Sequence, residues 1–139
     1  MTSNVRGNGN GSEPAGPTKK YERVLVVAAH PDDPEFLFGA TIARLVGEGS
    51  AIHYVICSDG ANYGRDPGKT PREVMQMRYA EQQAAADVLG VRDVTFLGFV
   101  DGRLEANLAL RTAITRFRIG AGVSGRFITA SEGDTRTQG

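Results

Sequence analysis

The pattern of hydrophobic and polar positions predicts strands that alternate with helices along this chain. Residues 23–29 and 51–57 form mostly apolar runs rich in valine and isoleucine, which is typical of strands buried on both faces of a sheet. A shorter apolar run at residues 94–97 predicts a third strand. Strands separated by helices favour right-handed crossovers and a parallel sheet. The expected fold is therefore α/β, a Rossmann-like parallel sheet with helices on both faces.

Apolar side chains recur at helical spacing in the segments between and after these strands, which predicts three helices. These helices cover residues 35–48, 72–90 and 104–117. The first predicted helix has one apolar face, formed by Phe38, Ile42, Leu45 and Val46. The second has a stripe at helical spacing, formed by Val74, Met77, Glu81, Ala84, Ala85 and Val88.

Both ends of the chain lack such periodicity. Residues 1–20 are rich in Gly, Ser, Asn and Pro and have no apolar centre of a signal peptide, so they are predicted to be a disordered tail. Residues 118–139 are mostly small and polar, with one apolar patch at Phe127 and Ile128. They are expected to be a poorly ordered tail that is foreign to the preceding domain and has no fourth strand. The predicted domain is residues 21–117, with the sheet truncated after about three strands.

Composition narrows the class of protein. With 139 residues, one domain at most is expected. Sixteen basic residues balance sixteen acidic ones, which gives no indication of a nucleic-acid partner, and no apolar stretch approaches the roughly 20 residues that span a bilayer. The single cysteine, Cys57, excludes an internal disulfide and favours a reducing, cytoplasmic location; its place in an apolar run predicts a buried strand residue.

The most informative stretch is HPDDPE, which directly follows the first apolar run. One interpretation is structural: Asp33 caps a helix, Pro34 is its first residue and Glu35 is an acid in its first turn. That interpretation leaves His30 and Asp32 unexplained. In parallel sheets ligands bind at the carboxyl ends of the strands, which is where His30 and Asp32 are expected.

The second interpretation is a metal site. Imidazole and carboxylate groups are common zinc ligands, and His30 and Asp33 are close enough across a strand-to-helix bend to share an ion. Asp32 lies between them and could act as general base on a zinc-bound water, whose pKa falls to about 7.

Four sequence segments together resemble the PIG-L/LmbE family of zinc-dependent de-N-acetylases. They are AHPDDPEF followed by GATIARL, ICSDGANYG, MRYAEQQAAADVLGV and FLGFVDGRL, within residues 23–117. The resemblance implies zinc-dependent hydrolysis of the N-acetyl group of a small N-acetylglucosamine-type substrate, which gives acetate and a free amine.

Site residues follow from the same resemblance. It implies that His30 and Asp33 bind zinc, that Asp32 is the catalytic base, and that Arg78 and Asp101 contact the substrate. From the residues alone, Arg78 is equally an exposed helix residue paired with Glu81. Asp101 is equally a turn residue before Gly102.

One family feature is missing. The family's third zinc ligand is a histidine far downstream, whereas no histidine follows His53 here. His53 lies within a predicted strand without polar neighbours and is interpreted as structural. Two protein ligands fall short of a catalytic zinc site, so zinc is expected to bind weakly and this truncated chain to be weakly active or inactive.

The alternative function is a non-catalytic Rossmann-like binding module. No G-x-G-x-x-G turn follows the first strand, which argues against dinucleotide binding. A phosphoacceptor receiver domain also has acidic residues at its first strand end. The His-Pro pair and the lack of a later strand-end lysine argue against that class. Measured zinc content would separate the deacetylase hypothesis from these two alternatives, because only the deacetylase hypothesis requires zinc.

Overall fold

A computed structural model describes residues 21–62, 67–123 and 127–130. The strands are β1 (Arg23–Ala28), β2 (Ala51–Ser58), β3 (Asp93–Phe99) and β4 (Phe127–Ala130). The helices are α1 (Asp33–Gly47), α2 (Pro71–Leu89) and α3 (Leu108–Gly120). All strand pairs are parallel, in the order β3-β2-β1-β4, which confirms the predicted α/β class. None of the helices in these ranges is both long and apolar enough to cross a bilayer.

The fourth strand is a correction to the sequence prediction. β4 pairs with β1 from Leu25–Phe127 to Ala28–Ala130, so the apolar patch at Phe127 and Ile128 belongs to the sheet. Four residues are too few to show strand periodicity in the sequence. The strand is instead defined by its pairing with β1. Helix α3 also continues to Gly120, beyond the predicted boundary at residue 117. Residues 1–20, 124–126 and 131–139 lie outside the described ranges, so the predicted tails stay predictions there.

Side chains of β1 point alternately into two hydrophobic layers. Val24 and Val26 enter the layer covered by α1 and α2, and Leu25 and Val27 enter the layer beneath α3. Helices therefore lie on both faces of the sheet, as predicted. The predicted face of α1 is confirmed: Ile42 and Leu45 are buried, and Phe38 and Val46 pack against the same cluster. Each fully buried aliphatic side chain contributes about 1.5–3 kcal/mol to folding.

The buried face of α2 differs from the predicted stripe. Met77 is 41% exposed and Val88 is 87% exposed. The residues that are buried recur every four positions and include two polar ones: Val74, Arg78, Gln82 and Ala86. Apolar periodicity alone was misleading because Arg78 and Gln82 turn inward to bind residues that follow β1.

The loops that follow β1, β2 and β3 contact one another at the carboxyl edge of the sheet. Gly60, after β2, has φ +65°, and a Cβ there would lie 2.9 Å from Pro31 Cγ in the β1 loop. The Asp59 carboxylate accepts hydrogen bonds from the backbone N–H groups of Ala61 and Asp101, which joins the β2 and β3 loops. The three segments that follow β1, β2 and β3 therefore form one surface.

The contact between Gly60 and Pro31 generates a stability prediction. We expect Gly60→Ala to lower the free energy of unfolding by about 2–3 kcal/mol, because the added Cβ meets Pro31 and the left-handed backbone disfavours alanine. Gly39→Ala is the matched control: nothing lies within 4 Å of its added Cβ in the middle of α1. That change should stabilise by about 0.5–1 kcal/mol. Urea unfolding curves measure both, and equal effects of the two changes would contradict the prediction.

Candidate active site

The bend after β1 places an unusual residue at the start of α1. Asp32 has φ 75°, and it is the one non-glycine residue with positive φ in the part of the chain that the structure describes. It occupies the N-cap position, so α1 begins at Asp33. The structural interpretation, in which Asp33 is the cap, is therefore wrong by one residue. The Asp33 Oδ2 atom instead accepts a hydrogen bond from the His30 backbone N–H at 2.9 Å, which closes the bend.

His30 lies between two carboxylates from different loops. Its Nδ1 atom is 3.5 Å from Asp33 Oδ2, and its Nε2 atom is 3.4 Å from Asp101 Oδ1. Asp101 is itself fixed, because its Oδ2 accepts the backbone N–H of Asn62 at 3.0 Å and its own N–H donates to Asp59. The imidazole side chain remains 35% exposed. It is therefore oriented by two acids and still reachable from solvent.

Arg78 joins Asp32 to α2. Its Nη2 atom donates to Asp32 Oδ2 at 2.6 Å, and its Nη1 atom donates to Glu81 Oε2 at 2.8 Å. Burial opposes the charge of this guanidinium, but the hydrogen bonds and charges of Asp32 and Glu81 outweigh burial and raise the pKa of Arg78. The predicted pairing of Arg78 with Glu81 is confirmed. The predicted exposure is wrong, because only 9% of Arg78 is accessible.

A second pair of polar residues lies beneath Asp32, and the sequence analysis missed it. Gln82 is fully buried; its Oε1 atom accepts the Asp32 backbone N–H at 2.6 Å, and its Nε2 atom donates to Glu35 Oε1 at 2.9 Å. Burial raises the pKa of Glu35, although the bond from Gln82 and the nearby Tyr54 hydroxyl oppose that rise. The available signal was the spacing of four residues between Arg78 and Gln82, which places both on one face of α2.

All five predicted site residues line one cleft of about 530 Å³. They are His30, Asp32, Asp33, Arg78 and Asp101. Two exposed apolar side chains of α1, Phe36 at 88% and Leu37 at 54%, lie at the same cleft. The cleft therefore combines an imidazole, three carboxylates and a guanidinium with an apolar surface. Such a combination suits a small polar ligand that has one apolar face.

The other histidine and the cysteine lie elsewhere. His53, in β2, has its Nε2 atom 3.1 Å from Thr95 Oγ1 and its Nδ1 atom 3.6 Å from Asp93 Oδ2, so the expectation that it lacks polar neighbours is wrong. Its ring packs edge-on against Phe117, and burial lowers its pKa although the charge of Asp93 opposes that shift. It lines a separate cavity of about 750 Å³ together with residues near the amino ends of the strands. Cys57 is 3% exposed, and burial raises the pKa of its thiol to about 11. Both positions agree with the structural roles predicted for these residues.

The spacing of donor atoms in the cleft bears on whether it could bind zinc. Tetrahedral ligands at about 2.0–2.2 Å from zinc are roughly 3.3–3.6 Å from one another. The 3.5 Å separation of His30 Nδ1 and Asp33 Oδ2 fits two ligands of one ion. Among the described residues, no group of three His, Cys, Asp or Glu side chains could hold a metal ion. Within the described residues, the spacing of His30 and Asp33 is thus compatible with two ligands of one zinc ion.

Comparison with known proteins identifies relatives of this chain. The family described as "GlcNAc-PI de-N-acetylase" (PIG-L) matches residues 25–136, which extends beyond the predicted boundary at residue 117. Diacetylchitobiose deacetylase of Thermococcus kodakarensis is 31% identical over 70% of this chain and 37% of its own length. The 1D-myo-inositol 2-acetamido-2-deoxy-alpha-D-glucopyranoside deacetylase of Rhodococcus jostii is 37% identical over 82% of this chain and 35% of its own length.

Solved structures show the same fold. N,N'-diacetylchitobiose deacetylase from Pyrococcus horikoshii superposes with a TM-score of 0.70 at 28% identity, over 76% of this chain and 40% of that one. GalB, the 4-carboxy-2-hydroxymuconate hydratase of Pseudomonas putida, gives a TM-score of 0.66 at 28% identity, over 72% of this chain and 43% of that one. The chain spans little more than a third of the length of the two curated relatives. The family match covers most of its residues, and the chain belongs to the PIG-L, or GlcNAc-PI de-N-acetylase, family.

Proposed function

We propose that this chain carries the metal-binding and water-activating part of a hydrolase that removes the acetyl group from an N-acetylglucosamine-type substrate. The observation that supports the proposal is the convergence of His30, Asp32 and Asp33 in one cleft at the carboxyl end of β1. The curated relatives named above are deacetylases of acetylated amino sugars, which supports the same substrate class.

His30 and Asp33 would hold zinc, through Nδ1 and Oδ2. Zinc, when bound, supplies a Lewis acid for the amide carbonyl and makes water more acidic. Asp101, whose Oδ1 atom is 3.4 Å from the opposite ring nitrogen, would hold the imidazole in the tautomer that leaves Nδ1 for the metal. On this proposal, Asp101 orients a zinc ligand in addition to its predicted contact with the substrate.

Asp32 would accept the proton of the attacking water. Arg78 binds its Oδ2 atom at 2.6 Å and so fixes the direction of the carboxylate. Water oxygen forms the new bond to the acetyl carbon, the C–N bond breaks, and the proton passes from Asp32 to the departing nitrogen. The immediate products are acetic acid and a free amine, and the remaining acid proton passes to the amine or to solvent to leave acetate, so atoms and charge balance without another reactant.

Substrate contacts would come from the rest of the cleft. Asp101 and Arg78 offer an acceptor and a donor to sugar hydroxyl groups, and the exposed ring of Phe36 offers an apolar surface to the sugar ring. Arg78 is largely committed to Asp32 and Glu81, so its contact with a substrate would be secondary to its role in holding Asp32.

Ligand number limits what the 139 residues do alone. The sequence contains two histidines, His30 and His53, and His53 lies in a different cavity from His30. A catalytic zinc site uses three protein ligands and leaves a position for water. We therefore propose that these residues bind zinc weakly and turn over substrate slowly, with the full ligand set requiring a group from outside them.

Zinc affinity tests the assignment of ligands. We expect His30→Ala and Asp33→Asn each to reduce zinc affinity by at least about tenfold in calorimetric titration, because each removes one of two direct ligands. His53→Ala is the matched control and should change affinity by less than about twofold. A loss of affinity in the His53 variant equal to that in the His30 variant would contradict the assignment.

Amine release tests the reaction. With zinc in excess and an N-acetylglucosaminyl substrate, we expect turnover far below the median enzyme rate of about 10 s⁻¹. Asp32→Asn should lower that turnover by at least about 100-fold, since general-base catalysis contributes about 10²–10⁴-fold.

Three results would contradict parts of this account. Turnover at the median rate would contradict the ligand count, and turnover unchanged by Asp32→Asn would contradict the assigned base. Release no faster than a zinc blank, combined with hydration of an unsaturated acid, would favour the hydratase chemistry named for the Pseudomonas putida structure.

A further inference from the structure

Asp32 is held in its disfavoured conformation by contacts from α2. A left-handed backbone is unfavourable for a residue with a Cβ and persists where the surroundings impose it. Gln82 accepts the Asp32 backbone N–H at 2.6 Å, and Arg78 donates to the Asp32 carboxylate at 2.6 Å. The two α2 residues are four positions apart on one helix face. One of them fixes the backbone of Asp32, and the other fixes its side chain.

Gln82 is poorly explained by packing alone. It is 0% exposed, and the two end positions of the buried stripe, Val74 and Ala86, are apolar. Burying an amide side chain is unfavourable unless its hydrogen bonds are satisfied. A leucine or methionine would fill a similar volume without that requirement. The polar residue is therefore best explained by the two groups that it binds.

The chemistry of those two groups allows one orientation of the Gln82 amide. The Asp32 N–H needs an acceptor, which is Gln82 Oε1, and the Glu35 carboxylate needs a donor, which is Gln82 Nε2. Glu35 lies in the first turn of α1, the helix that Asp32 caps. Gln82 thus joins the bend, the first turn of α1 and α2 through one planar group.

We infer that Gln82, oriented by Glu35, is a positioning residue that holds Asp32 in the left-handed conformation from which its carboxylate faces the cleft. This inference rests on the proposed function, in which Asp32 is the base. Gln82 does not line the cleft and acts only through Asp32. It is distinct from Arg78, which contacts the carboxylate directly.

The amide proton of Asp32 reports on this contact without any need for turnover. We expect Gln82→Met to reduce the hydrogen-exchange protection of the Asp32 amide by at least roughly fivefold and to shift its resonance upfield, since one hydrogen bond is lost. Amides of β2, such as that of Val55, serve as the internal reference for global stability. Gln83→Met is the matched control, because Gln83 is exposed on the same helix and its side chain donates to Asp87 at 2.9 Å, away from the bend at Asp32.

Exchanging the side chains at positions 35 and 82 provides a rescue experiment for the hydrogen bond to the Asp32 amide. In Glu35→Gln/Gln82→Glu, residue 82 still accepts the Asp32 N–H, and residue 35 becomes the donor to residue 82. We expect this double variant to restore the protection of the Asp32 amide to within about twofold of the original chain. Gln82→Glu alone should fail to do so, because two carboxylates then face each other.

The outcomes separate this inference from the proposed function. An Asp32 amide unchanged in Gln82→Met, or perturbed equally in Gln83→Met, would overturn the inference whatever the rate of amine release. If Gln82→Met does not fold, the double variant decides: restored protection supports the inference, and lost protection in a folded double variant overturns it. Absence of amine release from the original chain would count against the proposed function alone.

Discussion

The left-handed backbone at Asp32 is the constraint on which the candidate site depends. It turns the chain from β1 into α1 within a few residues, so that His30, Asp32 and Asp33 all remain at the carboxyl edge of the sheet. An ordinary residue in this conformation costs about 1–2 kcal/mol, and aspartate is among the residues that tolerate it best. The bend is closed by the bond from the His30 N–H to Asp33 and by the contacts from α2.

Helix α2 supports that bend with polar residues at buried positions. Two of its four buried residues are polar, and both bind Asp32. Its exposed apolar residues, such as Val88, contribute little to the core. The helix instead begins with a capping box between Thr70 and Glu73, which satisfies orphan backbone donors at its start. The capping box and the buried residues Val74 and Ala86 thus stabilise a helix whose other two buried residues, Arg78 and Gln82, are polar.

Much of the fold could be predicted from the sequence, because strands and helices of ordinary length leave clear periodic patterns. The apolar runs gave β1 and β2, and the face of α1 was confirmed at Ile42 and Leu45. β4 was missed because its four residues pair with β1 far away in sequence, and no local pattern records that pairing. The α2 stripe was confirmed at Val74 and wrong at Met77 and Val88, because the period of apolar residues does not reveal that Arg78 and Gln82 face inward.

The residues that line the candidate site were predicted about as completely as the fold. His30, Asp32 and Asp33 are adjacent in sequence, so their convergence follows from one bend. Arg78 and Asp101 were predicted through resemblance, and the structure places both in the same cleft. Gln82 was missed, since its spacing from Arg78 indicates only a shared helix face and its role depends on a contact across 50 positions. Roles in catalysis and metal binding remain proposals.

The central claim is that the bend after β1 presents His30 and Asp33 as a pair of zinc ligands. Anomalous diffraction at the zinc edge from zinc-soaked crystals of the chain tests it most directly. The account predicts a peak about 2.0–2.2 Å from both His30 Nδ1 and Asp33 Oδ2. A dominant peak beside His53 and Asp93, or one bound only between His30 Nε2 and Asp101, would contradict it.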